Sequence, residues 1–489
     1  MTVLVLDIGS SSVRALLFDD QARLIPGAVV SAAHEITTEP PGAATLDMPG
    51  LQARVEHCID QILTHPAAGQ IRVVGVDTLV GNMLGVRADG QPLTPVYTYA
   101  DTRSAPDVDQ LAAHVSPQQK HQDTGCLLHT AYQPARLHWL RRTQPDLFQQ
   151  VARWVDLGYV LYQQWFGEGR TSYSVASWSG LLNRATLTWD ADWLRILDIS
   201  SARLPELGDD QQVVSGLTPA YAARWPALKS TPFCLPVGDG AAANVGCGCI
   251  DRTQMTLTVG TTAALRVMTD ALLPPVPQGL WSYRVDARHH LIGGATSEGG
   301  NIFQWARGTL ALGSREEVEA ALAARTPDEH HLTMLPLLAG ERSPGWATNA
   351  TGAIAGLRLS TEPLDILQAA LEAVAHRLAM VAEQIAPIVA PDAPVVASGG
   401  ALAASPAWTQ MMATALERPL HLTTEPELTA RGAAILALNA VDGSPLEAFP
   451  PSVSAIIEPC APHVPLFRAA RVRQIALYNQ IIHAKKAAT

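Results

Sequence analysis

The chemistry of this chain starts at Asp7-Ile8-Gly9-Ser10-Ser11-Ser12, with Arg14 two residues on. A glycine followed by three hydroxyl residues makes a tight polar turn. Its backbone N–H groups and hydroxyls converge on one point, which favours an anion such as phosphate. Asp7 stands where a hydrated Mg²⁺ could be held, and Arg14 where transferred phosphate could be neutralised. An ordinary hairpin with a solvated turn has the same composition. This segment alone leaves both readings open.

A second carboxylate lies in Val237-Gly238-Asp239-Gly240-Ala241. Between two glycines, ahead of an alanine-rich helix start, Asp239 faces a cleft and can take a proton from an attacking hydroxyl. That is the aspartate's role in phosphoryl transfer. Taken alone, an aspartate here reads first as a helix N-cap, since Asp is a common cap. Gly260-Thr261-Thr262 repeats the glycine-hydroxyl turn. Ser398-Gly399-Gly400-Ala401 offers glycines after a buried strand, where a flat ring or a phosphate can approach the backbone. The order of the four segments carries more weight than any one of them.

Other phosphate devices are missing. No GxxxxGK[ST] loop occurs and the protein-kinase signatures are absent. The only lysines are Lys120, Lys229, Lys485 and Lys486, none in a glycine-rich context. Backbone N–H groups, hydroxyls, arginine and metal must therefore handle any phosphate.

The elements around these segments alternate between strand and helix. Thr2–Leu6 and Val13–Phe18 read as a hairpin about the first turn. Met255–Val259 and Ala263–Met268 repeat that hairpin about the second, which suggests two related units. Ile71–Asp77 and Pro394–Ser398 read as buried strands, and Pro134–Arg142 and Trp154–Trp165 as helices. Residues 170–236, rich in Trp, Pro and short turns, read as loops and a cap. Leu364, Leu367, Leu371, Val374, Leu378, Val381 and Ile385 form one helical face, with Thr361 as N-cap, Pro363 in the first turn and Pro387 as the stop. Ser405 and Pro406 open a further helix. The fold class is α/β throughout, divided into residues 1–236 and 237–489.

Composition narrows the partners. The net charge of −11 argues against nucleic-acid or anionic-membrane surfaces. Six scattered cysteines without a CxxC pair read as reduced, buried thiols. Asp7 interrupts the first apolar run before a signal-peptide core can form, and no run reaches the roughly 20 residues of a membrane span. A cytoplasmic enzyme acting on a small molecule is the expectation, with a homodimer left open.

Taken together, the segments resemble the FGGY carbohydrate kinases, which share the actin-like ATPase (ribonuclease H-like) fold, over about residues 3–440. The resemblance implies two such domains flanking a cleft, sugar on the first and ATP on the second. It identifies Asp7, Gly9, Ser10, Ser11, Ser12 and Arg14 with the first phosphate motif, and Gly260, Thr261 and Thr262 with the second. Asp239 matches the base and Gly399, Gly400 and Ala401 the adenosine motif. Gly293-Gly294, Gly299-Gly300 and Gly340-Glu341-Arg342-Ser343-Pro344 also resemble family segments. ATP and Mg²⁺ are the implied cofactors, the metal held through water at Asp7.

On the sugar side, Tyr99-Ala100-Asp101-Thr102-Arg103 resembles the family's substrate strip. Thr124-Gly125-Cys126-Leu127-Leu128-His129, with Arg136 downstream, resembles the gluconokinase-like branch. A sugar acid needs a partner for its carboxylate, and Arg103 or Arg136 is the expected one. Both are also read as structural ion pairs, Arg136 in particular because it lies on a helix face. Asn82 in Gly81-Asn82-Met83 can hydrogen-bond a hydroxyl but carries no charge. Gluconate is thus the first expectation and a ketopentose such as xylulose, or another polyol, the second. An actin-like ATPase or sugar-sensing regulator without transfer activity is the alternative of another class.

Overall fold

The computed structural model describes residues 2–209, 211–272, 275–347 and 350–483. Lys485 and Lys486 lie outside the described residues. The apolar run Thr2–Ile8 (β1) is buried along its whole length, as a central strand covered on both faces must be. It pairs antiparallel with β2 (Ser12–Phe18), and β2 with β3 (Leu24–Ala33). On its other side β1 runs parallel to β4 (Ile71–Thr78), with Asp7 opposite Asp77. The short strands β5 (Val213–Val214), β6 (Phe233–Cys234) and β7 (Val237–Gly238) complete a seven-stranded sheet of order β5-β6-β4-β1-β2-β3, with β7 also on β4. Residues 237–238, which the sequence assigns to the second half, thus hydrogen-bond into the first sheet.

The second sheet repeats this plan. Strands β8 (Met255–Val259) and β9 (Ala263–Thr269) form the hairpin, β10 (Trp281–Arg284) and β11 (His290–Thr296) extend it, and β12 (Val395–Ser398) runs parallel to β8. With β13 (Leu420–Thr423) and β14 (Val453–Ile457) the order is β10-β11-β9-β8-β12-β13-β14. The repeated glycine-hydroxyl turn is therefore the tip of the same hairpin in two mixed α/β domains.

Two helix boundaries differ from expectation. Helix α1 (Gln133–Thr143) matches the predicted span within a residue at each end. The predicted helix over Trp154–Trp165 is instead a strand, Arg153–Val155, paired with Leu84–Val86, and then helix α2 (Leu157–Phe166). Asp156 divides them: its carboxylate accepts the Tyr159 N–H at 3.1 Å and caps the helix. The long helix is α5 (Pro363–Ile385). Its N-cap is Glu362, in a reciprocal pair with Asp365, rather than Thr361, whose hydroxyl accepts the Arg358 N–H at 2.9 Å. Beyond β12 a single turn, α6 (Gly400–Ala404), precedes α7 (Pro406–Leu416), where Ser405 caps as expected.

The helix that carries Asp239 is α3 (Asp239–Gly246), followed in the second half by α4 (Gly300–Thr309). Helix α8 (Leu428–Asp442) comes from late in the chain yet packs on α3 and the first sheet. The approach is too close for side chains. A Cβ on Gly432 would lie 1.8 Å from the Ala242 carbonyl oxygen, and one on Gly246 would lie 1.9 Å from that of Leu428. A hydrophobic cluster joins α3, α8, Val5, Val73, Tyr132 and Tyr283, so the two sheets share part of their core. Five of the six cysteines are buried and Cys460 is half-buried. Among the described residues no helix is long and apolar enough to cross a membrane.

Candidate active site

Asp239 is the first residue of α3; the cap position belongs to Gly238, which has no side chain to cap with. The reading of Asp239 as N-cap is therefore corrected. Its carboxylate instead accepts the Gly240 N–H at 2.7 Å. The flanking glycines are explained by Trp178. A Cβ on Gly240 would meet the indole at 3.1 Å, and one on Gly238 would stand 2.9 Å from the indole nitrogen and 2.7 Å from Val80. Burial pushes the Asp239 carboxyl up to about 6, aided by the charge of Asp7 and opposed by the Gly240 N–H and Arg266.

Asp239 lines a cavity of about 280 Å³ between the sheets, together with Thr258, Thr262, Arg266 and Arg342 and an aromatic wall. In that wall Trp178 stacks on Tyr283 at 3.6 Å, and Trp281 on Tyr283 at 4.4 Å. The Tyr132 and Tyr283 hydroxyls share a hydrogen bond of 2.6 Å. His129 meets the edge of Trp346, another lining residue, at 5.1 Å. Burial and the charge of Arg342 hold the His129 ring down to about 4, so it is neutral.

The two glycine turns are built alike. The Gly9 N–H donates to the Ser12 carbonyl at 3.0 Å, and the Gly260 N–H to that of Thr262 at 2.9 Å. Gly300 closes on the second turn, donating to the Gly260 carbonyl at 2.6 Å, and its absent Cβ would lie 3.2 Å from the Ala401 methyl. Gly399 has φ +110°, and a Cβ there would stand 2.2 Å from the Val259 oxygen. Only glycine tolerates that conformation and approach. Gly400 faces open space. Gly260, Thr261, Thr262, Gly300, Gly399, Gly400 and Ala401 therefore occupy one end of the second sheet.

Arg14 is not free to meet phosphate: it is paired with both Asp7 and Glu427. Beside Asp7 lies a residue that the sequence did not single out. Asp77 is fully buried, and neither carboxylate oxygen accepts an N–H or hydroxyl. Burial, then the charges of Asp7 and Asp239, push its carboxyl well above the usual range. Paired carboxylate oxygens are the donor type that suits Mg²⁺. No set of three or more His, Cys, Asp or Glu side chains poised for a metal occurs among the described residues.

The expected sugar-side residues divide. Tyr99 lines the cavity, but Asp101 and Arg103 do not; they pair at 2.6 Å, and Arg103 lies over Trp139 at 4.7 Å. Asn82 is likewise turned inward, donating to the Leu79 carbonyl at 2.7 Å and accepting the Leu157 N–H at 2.9 Å. Arg136 is buried and structural, as one reading had it, but through carbonyls rather than an ion pair. It donates to Gly81 at 3.1 Å, Thr98 at 2.7 Å and Thr130 at 3.3 Å.

Sequence reasoning missed Arg266, Trp178, Tyr132 and Tyr283, and quoted Arg342 without a role. Arg266 shares a face of β9 with Ala264, two residues away, and both line the cavity. That period was available in the sequence. Nothing local marked Trp178 among the other tryptophans of residues 170–236.

Comparisons with known proteins bear on the family and the fold. The pattern of the FGGY family of carbohydrate kinases matches residues 2–246 with its N-terminal domain and residues 255–441 with its C-terminal domain. A gluconokinase of Bacillus subtilis (strain 168) is 26% identical over 449 residues, covering 90% of this chain and 87% of the relative. Among solved structures, a xylulose kinase from Lactobacillus acidophilus superposes with a TM-score of 0.92 at 24% identity, covering 98% of each chain. A gluconate kinase from Lactobacillus acidophilus gives a TM-score of 0.92 at 23% identity and covers 100% of each. At those identities the structures speak to the fold.

Proposed function

Because the chain belongs to the FGGY family of carbohydrate kinases, we propose that it transfers the terminal phosphoryl group of ATP to a hydroxyl of a sugar acid, gluconate first among them. The observation that carries this reading is Asp239, held at the start of α3 and opening into a cavity lined by the second sheet and by first-domain loops. A carboxyl near 6 is ionised at neutral pH yet basic enough to take the acceptor's proton as the new bond forms. Arg266 beside it offsets charge developing on the transferred group.

The second-sheet end fits ATP: the turn at Gly260-Thr261-Thr262 presents N–H and hydroxyl groups, and the open side of Gly400 leaves room for a nucleoside. Asp7, with Asp77 beside it, would hold a hydrated Mg²⁺, which supplies charge neutralisation between phosphates when bound. Gly9, Ser10, Ser11 and Ser12 line the facing turn. On the sugar side Tyr99 and His129 reach the acceptor, while Asp101, Arg103, Asn82 and Arg136 shape the scaffold behind them. The aromatic wall excludes water and so limits loss of phosphate to hydrolysis. We read the enzyme as cytoplasmic.

The testing experiment couples ADP release to a panel of gluconate, xylulose, ribulose and glycerol. Gluconate should give the highest kcat/KM. ADP release that no acceptor accelerates would overturn the kinase reading, and a neutral sugar preferred over gluconate would overturn the sugar-acid reading alone.

A further inference from the structure

We propose that Arg342 is the anion anchor of the acceptor site: its guanidinium binds the carboxylate of the sugar acid and so sets the preference for acidic over neutral acceptors. This deepens the kinase reading above and rests on it.

Arg342 lines the same cavity as Asp239. One nitrogen donates to the Thr296 carbonyl at 2.6 Å, which fixes the direction of the guanidinium. No carboxylate pairs with it among the described residues. Its adjacent acid is occupied elsewhere: Glu341 is paired with Arg377 and accepts the Tyr478 hydroxyl at 2.6 Å and the Ala347 N–H at 2.9 Å. The other near acid, Glu298, accepts the Ala339 N–H at 2.8 Å, and burial pushes it up to about 7, so its charge is only partial at neutral pH. A half-buried guanidinium without a full counter-ion is costly unless an anion completes the site. Burial lowers Arg342 from its ordinary pKa, in accord with that cost.

Its surroundings are those of an acceptor rather than a nucleotide. Tyr99, Tyr132 and Tyr283 line the same cavity within reach of the Arg342 charge, which is also felt by His129. His129 accepts the Ala131 N–H on Nδ1 at 3.1 Å, which leaves the proton on Nε2 as a neutral donor for a hydroxyl. Arg266, the other cation of the cavity, stands with Asp239 and reaches the Thr258 hydroxyl at 3.4 Å. The two arginines thus have different partners, Arg266 at Asp239 and Thr258 and Arg342 at Thr296, and each lies within reach of the other's charge. A linear sugar acid carries its carboxylate at one end and a primary hydroxyl at the other. It can place the first on Arg342 and the second at Asp239, with its chain along Trp178 and Trp346. The guanidinium fork matches a carboxylate in two parallel hydrogen bonds.

The terminal phosphate of ATP is an anion too, and the experiment separates the two. Arg342→Met and Arg342→Lys are assayed for ADP release with gluconate and with its neutral counterpart glucitol, with KM for ATP measured alongside. For Arg342→Met the account expects kcat/KM for gluconate to fall on the order of 100-fold. The glucitol rate and KM for ATP should stay within about threefold, so the acid-to-neutral preference collapses. Arg342→Lys, which keeps the charge and serves if the methionine variant does not fold, should recover part of the preference because it lacks the fork. An unchanged acid-to-neutral ratio in both variants overturns the proposal. So does a rise in KM for ATP with equal loss for every acceptor, which would assign Arg342 to phosphate. A wild-type enzyme that prefers neutral sugars overturns this proposal and leaves the kinase standing; one that phosphorylates nothing overturns both.

Discussion

Trp178 and Tyr283 stack with ring centroids 3.6 Å apart and planes 20° apart, although one follows the first-domain helices and the other lies on β10 of the second sheet. The same indole lies against Gly238 and Gly240 on either side of Asp239. One aromatic ring therefore touches the base segment and the opposite wall of the cleft at once.

That contact makes Gly238 a sensitive position. An alanine there would press on Val80 and Trp178 at 2.7 and 2.9 Å. Gly238→Ala is expected to lower stability by about 1–3 kcal/mol in thermal or denaturant unfolding, as overpacking does. It should also reduce kcat/KM by more than about tenfold by displacing Asp239. Gly69→Ala, where a Cβ meets nothing within 4 Å, is the neutral control.

The acid limb of the pH–rate profile follows from Asp239. Its carboxyl, raised to about 6, must be ionised to accept a proton. As pH falls through 6 the base is protonated, so kcat/KM should drop with a slope of about one per pH unit. A profile flat down to pH 5 would contradict the assignment.

Tyr132 and Tyr283 test how the domains are joined. Their shared hydrogen bond is buried, so Tyr283→Phe leaves the Tyr132 hydroxyl without its partner. The single variant should cost about 1–3 kcal/mol, and the double variant Tyr132→Phe/Tyr283→Phe less than the sum of the two singles. Denaturant unfolding of the four proteins measures the coupling.

Asp77 should make itself known in stability rather than structure. Its folded-state pKa is raised, so its contribution is fully present below the unfolded value of about 4 and is lost as pH rises toward the folded value. Over that window wild type loses up to about 1.4 kcal/mol per pH unit from this group. Asp77→Asn has no such loss, so its stability relative to wild type should increase from pH 4 toward neutrality in the absence of nucleotide. A difference independent of pH would mean that Asp77 is already ionised in the folded protein.

Much of this was legible because backbone chemistry has local signatures. The turn after Asp7 and its echo at Gly260 both show as glycine followed by hydroxyls, and both are hairpin tips. Asp239 was visible because two glycines flank it, though the reason for them, Trp178, lies 60 residues upstream and is set by tertiary packing. Side-chain direction was not legible. Arg103 and Arg136 had the right charge and neighbourhood, but one is held by Asp101 and the other by three carbonyls. Arg342 had no special spacing; it stands out only once its acidic neighbour Glu341 is seen paired with Arg377. Trp154 and Val155 were drawn into a helix because apolar runs suit either structure until the Asp156 cap is recognised.

The most direct measurement is acceptor-dependent ADP release by Asp239→Asn, with gluconate and ATP saturating and the fold checked by circular dichroism. The asparagine keeps the size and can still accept the Gly240 N–H, but cannot take a proton. The account predicts a loss in kcat of roughly 10²–10⁴-fold with KM for ATP little changed. A variant that phosphorylates its acceptor at near wild-type rate would contradict the assignment of Asp239 as the base.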